Sequence, residues 1–181
     1  VSIEAATGVS SGISAADRAT ATTNAELPSD AQVIGAVQRA RENATLVCAA
    51  GGLPGELHKL WKAPRPGAYH MEYGFSCMGY EIAGAMGIKM AEPARDVVCM
   101  VGDGSYMMMN SEMATAAMLG IGFTVVITDN SGFGCINRLQ QACGGAPFNN
   151  LLADCVQGPD GPPAIDFAAH ARSLGAQAEQ V

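Results

Sequence analysis

Three short apolar runs recur along the chain, at 45–50, 96–101 and 123–128. None of them alternates apolar with polar residues, and such runs are typical of strands buried on both faces. Glycine follows each run within a few residues. Helical stretches lie between them, from Met78 to Met90 and from Asn110 to Leu119. The pattern predicts an α/β fold of three layers, in which helices cover both faces of a parallel sheet.

Two further helices are indicated outside these runs. Ser29 or Asp30 precedes apolar residues at helical spacing, so we expect a capped helix from there to about Glu42. A last helix is predicted over 166–174. Residues 141–163 are rich in turn-forming residues and are predicted to form a mobile or lid-like loop.

The two ends of the chain suggest a piece of a longer protein. The sequence starts at Val1 and ends at Val181, directly after the last predicted helix. Residues 1–27 are rich in Ser, Ala, Thr and Gly and have no sustained periodicity. We expect them to be a linker or the end of a preceding domain, and we expect residues 28–181 to form one domain.

Charge and composition narrow the class of protein. Ten Lys and Arg against 17 Asp and Glu give a net charge of -7, which argues against nucleic acid and anionic membranes as partners. No apolar run reaches the roughly 18 to 20 residues of a membrane span, and the start lacks signal-peptide features. We therefore expect a cytoplasmic protein. The six cysteines show no metal-site or redox spacing, and most are expected to be buried, reduced thiols.

Two motifs follow the second and third apolar runs. Gly102–Ser105 reads Gly-Asp-Gly-Ser, and 24 residues separate its Gly-Asp-Gly from the Asp-Asn that opens Asp129–Gly132. One loop, one helix and one strand fit this spacing, so the motifs are predicted at the ends of neighbouring parallel strands. The Asp103 carboxylate, the Asn130 amide carbonyl and the Gly132 main-chain carbonyl would converge there. Such oxygen ligands are those that Mg²⁺ prefers, with further positions left for water and phosphate oxygens.

The glycines of the first motif favour a diphosphate as the ligand. Gly102 and Gly104 would permit a sharp turn and let main-chain N–H groups approach a phosphate, and the helix start near Asn110 adds a partial positive charge. An acidic protein can hold a diphosphate in this way because the metal ion supplies the positive charge. A lone Gly-Asp-Gly occurs in many turns, so the prediction depends on the pair of motifs.

This pair resembles the motif that binds thiamine diphosphate, a Gly-Asp-Gly followed after some two dozen residues by two Asn. Asp129 stands where the first Asn usually is, and the second is kept as Asn130. Over about 27–181 the chain is similar to the diphosphate-binding domain of the acetolactate synthase and pyruvate decarboxylase superfamily, and within it to the trihydroxycyclohexanedione hydrolases of myo-inositol breakdown. Further segments that carry the resemblance are 49–52, 60–66, 73–79 and 83–87.

The resemblance implies a role for each motif residue. Mg²⁺ would bind Asp103, Asn130 and the Gly132 carbonyl. Met78 stands where the superfamily places a large apolar residue that bends the cofactor, although a core methionine is the alternative. The residues expected to contact the cofactor are Gly52, Met78, Gly102, Gly104, Ser105, Asn130 and Gly132.

The resemblance also implies an activity and a partner. Thiamine diphosphate would attack a cyclic diketone derived from a polyol, the ring carbon–carbon bond would break, and water would release an open-chain deoxyuronate. The activating glutamate would come from a pyrimidine-binding domain of a partner subunit, in a homodimer or homotetramer. No segment here resembles that domain, so we expect no catalytic residue in this chain. We expect the chain to be a diphosphate-binding domain truncated at its C-terminus, with weak cofactor binding and no turnover on its own.

Two alternatives stay open. One is a 2-oxoacid ligase or decarboxylase on the same scaffold, and the other is a non-catalytic domain that keeps the glycines without the metal. Among other residues, Met107–Met109 are expected to pack the loop after the metal site, and Glu112 to complement a helix dipole. His70, placed in a turn-rich segment, is the one histidine that we would test for a contact with substrate.

Overall fold

Four parallel strands form the sheet at the centre of the computed structural model, which describes residues 15–21 and 27–181. Their order across the sheet is β2-β1-β3-β4, and every neighbouring pair is parallel. The strands are β1 (Thr45–Cys48), β2 (Tyr69–Met71), β3 (Val97–Gly102) and β4 (Thr124–Thr128).

Helices connect the strands and lie on both sides of the sheet. Those described are α1 (Ala15–Thr20), α2 (Asp30–Ala40), α3 (Leu53–Leu60), α4 (Tyr80–Ala91), α5 (Asp103–Met108), α6 (Glu112–Leu119), α7 (Gly134–Ala142) and α8 (Phe167–Ser173), with a short 3-10 helix at Leu152–Asp154.

Alternate residues of the strands face two separate cores, because successive side chains of a strand point to opposite faces. Leu46 and Met100 pack on one face against α2 and α3. Val47 and Cys99 pack on the other face against α4, and Tyr106 and Ala171 lie in the same cluster. The predicted three-layer arrangement is therefore confirmed.

The order in which the strands are added reverses beside β1. The chain passes from β1 to β2 on one side, and then places β3 on the other side with β4 beyond it. A crevice opens outside the carboxyl ends of the strands at such a switch point, and ligands of open α/β sheets bind there. Here the crevice lies between the residues that follow β1 and those that follow β3.

The three predicted strands are confirmed within two residues at each end, but β2 was missed. It has three half-buried residues and pairs with β1 alone at the edge of the sheet, so it leaves almost no pattern in the sequence. His70 therefore lies in a strand, and its placement in a turn-rich segment was wrong. The helix α1 was also not predicted, and the rest of the expected linker lies outside the described residues.

The predicted cap of the first long helix is confirmed. The Ser29 hydroxyl accepts the main-chain N–H of Gln32, while the Gln32 side chain accepts the N–H of Ser29. Two such reciprocal bonds satisfy donors that the first turn of a helix otherwise leaves free. The helix ends at Ala40, two residues before the predicted end, because Arg41 leaves helical geometry with a φ of -138°.

The expectation that most cysteines are buried was wrong. All six are free thiols, but only Cys48 in β1 and Cys99 in β3 are buried. The other four lie in loops or helices and are exposed or half-buried. None of the helices that the structure describes has the length and apolar character needed to cross a membrane.

Leu46→Ala tests the buried centre of the sheet. Leu46 is fully buried in β1, so the substitution leaves a cavity and should lower the free energy of unfolding by about 2–5 kcal/mol. The matched control is Leu27→Ala, because Leu27 is 75% exposed and should change this free energy by less than about 0.5 kcal/mol. Urea denaturation measures both, and similar losses for the two variants would contradict the assignment of the core.

Candidate functional site

Asp103 lies at the carboxyl end of β3, where it begins α5. Its side chain is 3% exposed, and its Oδ2 accepts the Gly132 N–H at 2.6 Å. Its Oδ1 is buried and, among the described residues, has no hydrogen bond of normal geometry. Burial raises the pKa of this carboxyl, and the main-chain N–H groups of Gly132 and Asn130 oppose the rise. A buried carboxylate oxygen without a hydrogen bond of normal geometry favours the binding of a cation.

The segment after β4 turns towards Asp103 through a strained backbone. The Asp129 carboxylate accepts the N–H of Ser131 at 2.8 Å, and Ser131 has a left-handed φ of 61°. Gly132 follows with a φ of 138°, which side chains rarely adopt. A Cβ there would also lie 2.4 Å from the carbonyl oxygen of Asn150. Only glycine fits this position.

The Asn130 side chain closes the same turn. Its Oδ1 accepts the N–H of Gly134, at the start of α7, at 3.2 Å. The spacing predicted that Asp103, Asn130 and Gly132 meet, and the structure brings the two segments that carry them together through the bond between Asp103 and Gly132. Coordination of a metal by these three residues stays a prediction.

Gly104 is needed for close packing and not for a turn. A Cβ on Gly104 would meet the Phe133 ring at 2.7 and 2.8 Å and the Gly132 carbonyl oxygen at 3.2 Å. Gly102 has an ordinary extended φ of -74°, and a Cβ there would meet no atom of the described residues within 4 Å. The predicted sharp turn at these glycines was therefore wrong, since the chain passes from β3 directly into α5 at Asp103. The helix predicted from Asn110 to Leu119 is confirmed as α6.

Ser105 lies two residues further along α5, and its hydroxyl points to a residue that the sequence did not single out. It lies 2.8 and 3.0 Å from the two carboxylate oxygens of Glu81, to which it donates. The N–H of Gly79 lies 2.9 Å from a Glu81 oxygen and 2.8 Å from the Ser105 hydroxyl. Glu81 is 1% exposed. Burial raises the pKa of Glu81, while bonds from its own N–H, Ser105, Gly79 and Ala50 oppose the rise.

A single signal in the sequence could have revealed Glu81. It is the one charged residue in the first two turns of α4, among apolar and small residues. A carboxylate at a buried position of a helix needs donors, and these are the main-chain and hydroxyl groups of neighbouring segments. Ser105 lies 24 residues away in sequence, so the pattern of the helix could not identify it as a donor.

Met78 lies in the turn that precedes α4 and is half-buried, so it does not belong to the buried core. Gly79, the next residue, has a left-handed φ of 94°, and a Cβ there would lie 2.6 Å from the Cγ of Met109. The turn is shaped by Glu72, whose carboxylate accepts the main-chain N–H groups of Phe75 and Cys77. The contact of Met78 with a cofactor stays a prediction.

Gly52 lies at the end of the loop after β1, where it precedes α3. A Cβ on Gly52 would lie 2.5 Å from a guanidinium nitrogen of Arg138, which belongs to α7. The absence of a side chain therefore lets Arg138 reach across from the helix after β4. The loop after β1 and the helix after β4 thus meet at the carboxyl edge of the sheet.

The remaining predicted residues have three different outcomes. Glu112 begins α6 as expected. His70 bonds the Gly67 carbonyl at 3.0 Å through a ring nitrogen, and its contact with substrate stays a prediction. The packing expected of Met107–Met109 was wrong, because these side chains are 42%, 50% and 43% exposed.

The fold and the residues at its carboxyl edge define a class of cofactor-binding α/β domains. A solved thiamine diphosphate-dependent 4-hydroxybenzoylformate decarboxylase from Rhodococcus jostii has the same fold, with a TM-score of 0.73 over 87% of this chain and 28% of that one. The two are 21% identical, so this similarity concerns the fold alone.

The family follows from comparison of the sequence. Residues 49–181 match the family model of the thiamine pyrophosphate enzyme, C-terminal TPP binding domain. The chain belongs to this family; thiamine pyrophosphate and thiamine diphosphate are the same compound.

Two relatives that match this chain have the same name. The chain is 42% identical, over 84% of its length, to 3D-(3,5/4)-trihydroxycyclohexane-1,2-dione hydrolase from Shouchella clausii. It is 48% identical, over 77% of its length, to the protein of that name from Bacillus thuringiensis. It spans 23% and 22% of the lengths of these two relatives.

Gly104→Ala tests the close packing beside Asp103. The added methyl group would press on Phe133 and the Gly132 carbonyl, so we expect the free energy of unfolding to fall by about 1–3 kcal/mol. The control is Gly87→Ala, where a Cβ meets no described atom within 4 Å and helix α4 should gain about 0.5–1 kcal/mol. Thermal unfolding separates the two, and a neutral Gly104→Ala would contradict the packing described.

Proposed function

We propose that this chain holds the diphosphate and the Mg²⁺ ion of thiamine diphosphate, in an enzyme that hydrolyses a carbon–carbon bond of a cyclic diketone. The observation that carries the proposal is the buried Oδ1 of Asp103, which is without a bond of normal geometry among the described residues. A hydroxyl or an amide could satisfy such an atom, but none of the described ones does. A divalent cation fits the position, because it supplies the charge that a buried carboxylate lacks.

The other predicted ligands fit the same ion in chemical type. The Gly132 carbonyl lies against the first turn of α5, 3.2 Å from where a Cβ of Gly104 would be. Asn130 offers an amide oxygen two residues earlier in the chain. Carboxylate, amide and carbonyl oxygens are hard ligands, and Mg²⁺ combines a few of them with phosphate oxygens. Asp103, Asn130 and Gly132 would hold the metal.

The diphosphate would lie where the segments after β1 and β3 face each other. Gly52 ends the first of these segments, and Gly102 and Gly104 lie in the second. The missing side chains leave main-chain groups accessible to phosphate oxygens, and Ser105 would contact the same group. Met78, half-buried beside them, would contact the rings of the cofactor.

The chemistry comes from the cofactor. When bound, thiamine diphosphate stabilises a carbanion, so that a bond between a carbonyl carbon and its neighbour can be broken. The residues of this chain bind and orient it, and a pyrimidine-binding domain of a partner subunit would supply the activating glutamate. We propose a homodimer or homotetramer, located in the cytoplasm, that acts in inositol catabolism.

The substrate class follows from the relatives. Those named above are hydrolases of a trihydroxycyclohexane-1,2-dione and are 42% and 48% identical to this chain. The solved decarboxylase is 21% identical, so it supports the fold and not a 2-oxoacid substrate. His70 is our candidate for a substrate contact from this chain.

Asp103→Ala tests the metal site. Titration calorimetry on the protein as the cell makes it measures its affinity for Mg²⁺ and thiamine diphosphate. The variant should lose more affinity than the roughly 10- to 100-fold lost when a residue that only supports a metal ligand is changed. The control is Asp96→Asn. Asp96 lies just before β3, at the opposite end of the strand from Asp103, and pairs with Arg41 at 3.1 Å. This control should bind as the wild type does, and equal binding by Asp103→Ala would refute the metal site.

A comparison of substrates tests the proposed activity. We expect the protein as the cell makes it to open the ring of the cyclic dione, and to leave pyruvate unchanged, in the presence of Mg²⁺ and thiamine diphosphate. The 181-residue chain alone should bind the cofactor weakly and show no turnover, because the activating glutamate would come from elsewhere. Chromatography of the products measures both, and ring opening by the isolated chain would refute this division of roles.

A further inference from the structure

The Glu81 carboxylate is the most deeply buried charged group outside the proposed metal site, in the part of the chain that the structure describes. It is 1% exposed, and no ion pair within residues 15–21 and 27–181 joins it to a cation. Hydrogen-bond donors must therefore stabilise it. A carboxylate offers up to about four acceptor sites, so it can bind several donors at once.

Its donors come from three separate segments of the chain. The Ser105 hydroxyl donates from α5, after β3. The Gly79 N–H donates from the turn before α4. The Ala50 N–H lies in the loop after β1 and contributes to holding the pKa of Glu81 down against burial. The Gly79 N–H also lies 2.8 Å from the Ser105 hydroxyl, so the bonds form a connected network.

Each of these segments carries residues that we propose to contact the cofactor. Ala50 lies two residues before Gly52, and Gly79 directly follows Met78. Ser105 lies in the first turn of α5 with Asp103. A single buried side chain therefore joins the diphosphate segments to the segment that would contact the rings.

We infer that Glu81 is a positioning residue, which sets the distance between the diphosphate-binding segments and Met78 so that the cofactor binds in one fixed conformation. This inference rests on the proposed function, since it assigns a role toward thiamine diphosphate. Glu81 itself does not touch the cofactor. It acts through Gly79 and Ser105, whose hydrogen bonds would otherwise be made with water or left unmade.

The geometry explains why a carboxylate is used. Glu81 has two oxygens, and the bonds to Gly79 and Ser105 lie between 2.8 and 3.0 Å. Glutamine has one acceptor oxygen and one donor nitrogen, so it can keep the bond from Gly79 and turn its donor towards the Ser105 hydroxyl. Alanine removes the whole network. Glu81→Ala should therefore weaken cofactor binding more than Glu81→Gln does.

The experiment compares Glu81→Ala and Glu81→Gln in the protein as the cell makes it, at a temperature at which each is folded. Calorimetry with Mg²⁺ and thiamine diphosphate should show affinity at least roughly tenfold weaker for Glu81→Ala and within about threefold of the wild type for Glu81→Gln. Near-ultraviolet circular dichroism of the bound cofactor should change for Glu81→Ala and be kept by Glu81→Gln, because this signal reports a fixed conformation.

Two controls separate positioning from a loss of stability. Ile82→Ala removes a neighbouring buried side chain of α4, and should lower the unfolding temperature while leaving the affinity within about twofold. Glu92→Gln changes a glutamate that follows the other end of α4 and pairs with Arg95, and should alter neither quantity. Equal affinities for Glu81→Ala and the wild type, or an equal loss in Ile82→Ala, would overturn the inference.

A second measurement applies if Glu81→Ala does not fold. A double-mutant cycle of Glu81→Gln with Ser105→Ala should be non-additive in cofactor affinity, because both changes act on the same bonds. Additive losses would overturn the inference. Absence of cofactor binding by the wild-type protein would instead refute the proposed function, and the inference with it, so the two failures are distinguishable.

Discussion

A carboxylate buried away from water must be satisfied by donors or by a cation, and the two buried carboxylates of the described residues, Glu81 and Asp103, meet that constraint differently. Glu81 accepts bonds from Ser105 and Gly79, and the Ala50 N–H opposes the rise of its pKa. Asp103 accepts the Gly132 N–H with one oxygen and keeps the other without a bond of normal geometry among the described residues. The first arrangement is complete and joins segments of the chain. The second is incomplete in a way that a metal ion would complete.

The two arrangements are mechanically linked. Asp103 and Ser105 lie in one turn of α5, so a bond that fixes Ser105 also fixes the direction in which Asp103 points. The Asp103 carboxylate in turn accepts the N–H of Gly132, and this bond fixes the turn after β4. Side chains thus connect the turn before α4, the first turn of α5 and the turn after β4 at the carboxyl edge of the sheet.

Much of this could be predicted from the sequence, and the limit has a physical basis. The buried strands and the pair of motifs are local patterns, and their spacing sets which strand ends are neighbours. The edge strand β2 has three half-buried residues, which is too few for a periodic signal. The start of α5 at Asp103 was missed because Gly102 and Gly104 have low helix propensity, and packing of Phe133 on Gly104 overrides that preference. Glu81 was missed because Ser105, the side chain that donates to it, lies 24 residues away in sequence.

Glycine is needed for different reasons at neighbouring positions along the carboxyl edge of the sheet. Gly132 needs its backbone angle of 138°, and Gly104 needs the space that Phe133 and the Gly132 carbonyl occupy. Gly102 needs neither within the described residues, since its φ is ordinary and no atom lies within 4 Å of its missing Cβ. Gly102 also lies next to a carboxylate with one oxygen that has no bond of normal geometry among the described residues, and the ligand that we propose would explain the glycine. The diphosphate would occupy the space beside Gly102 that a side chain would otherwise fill.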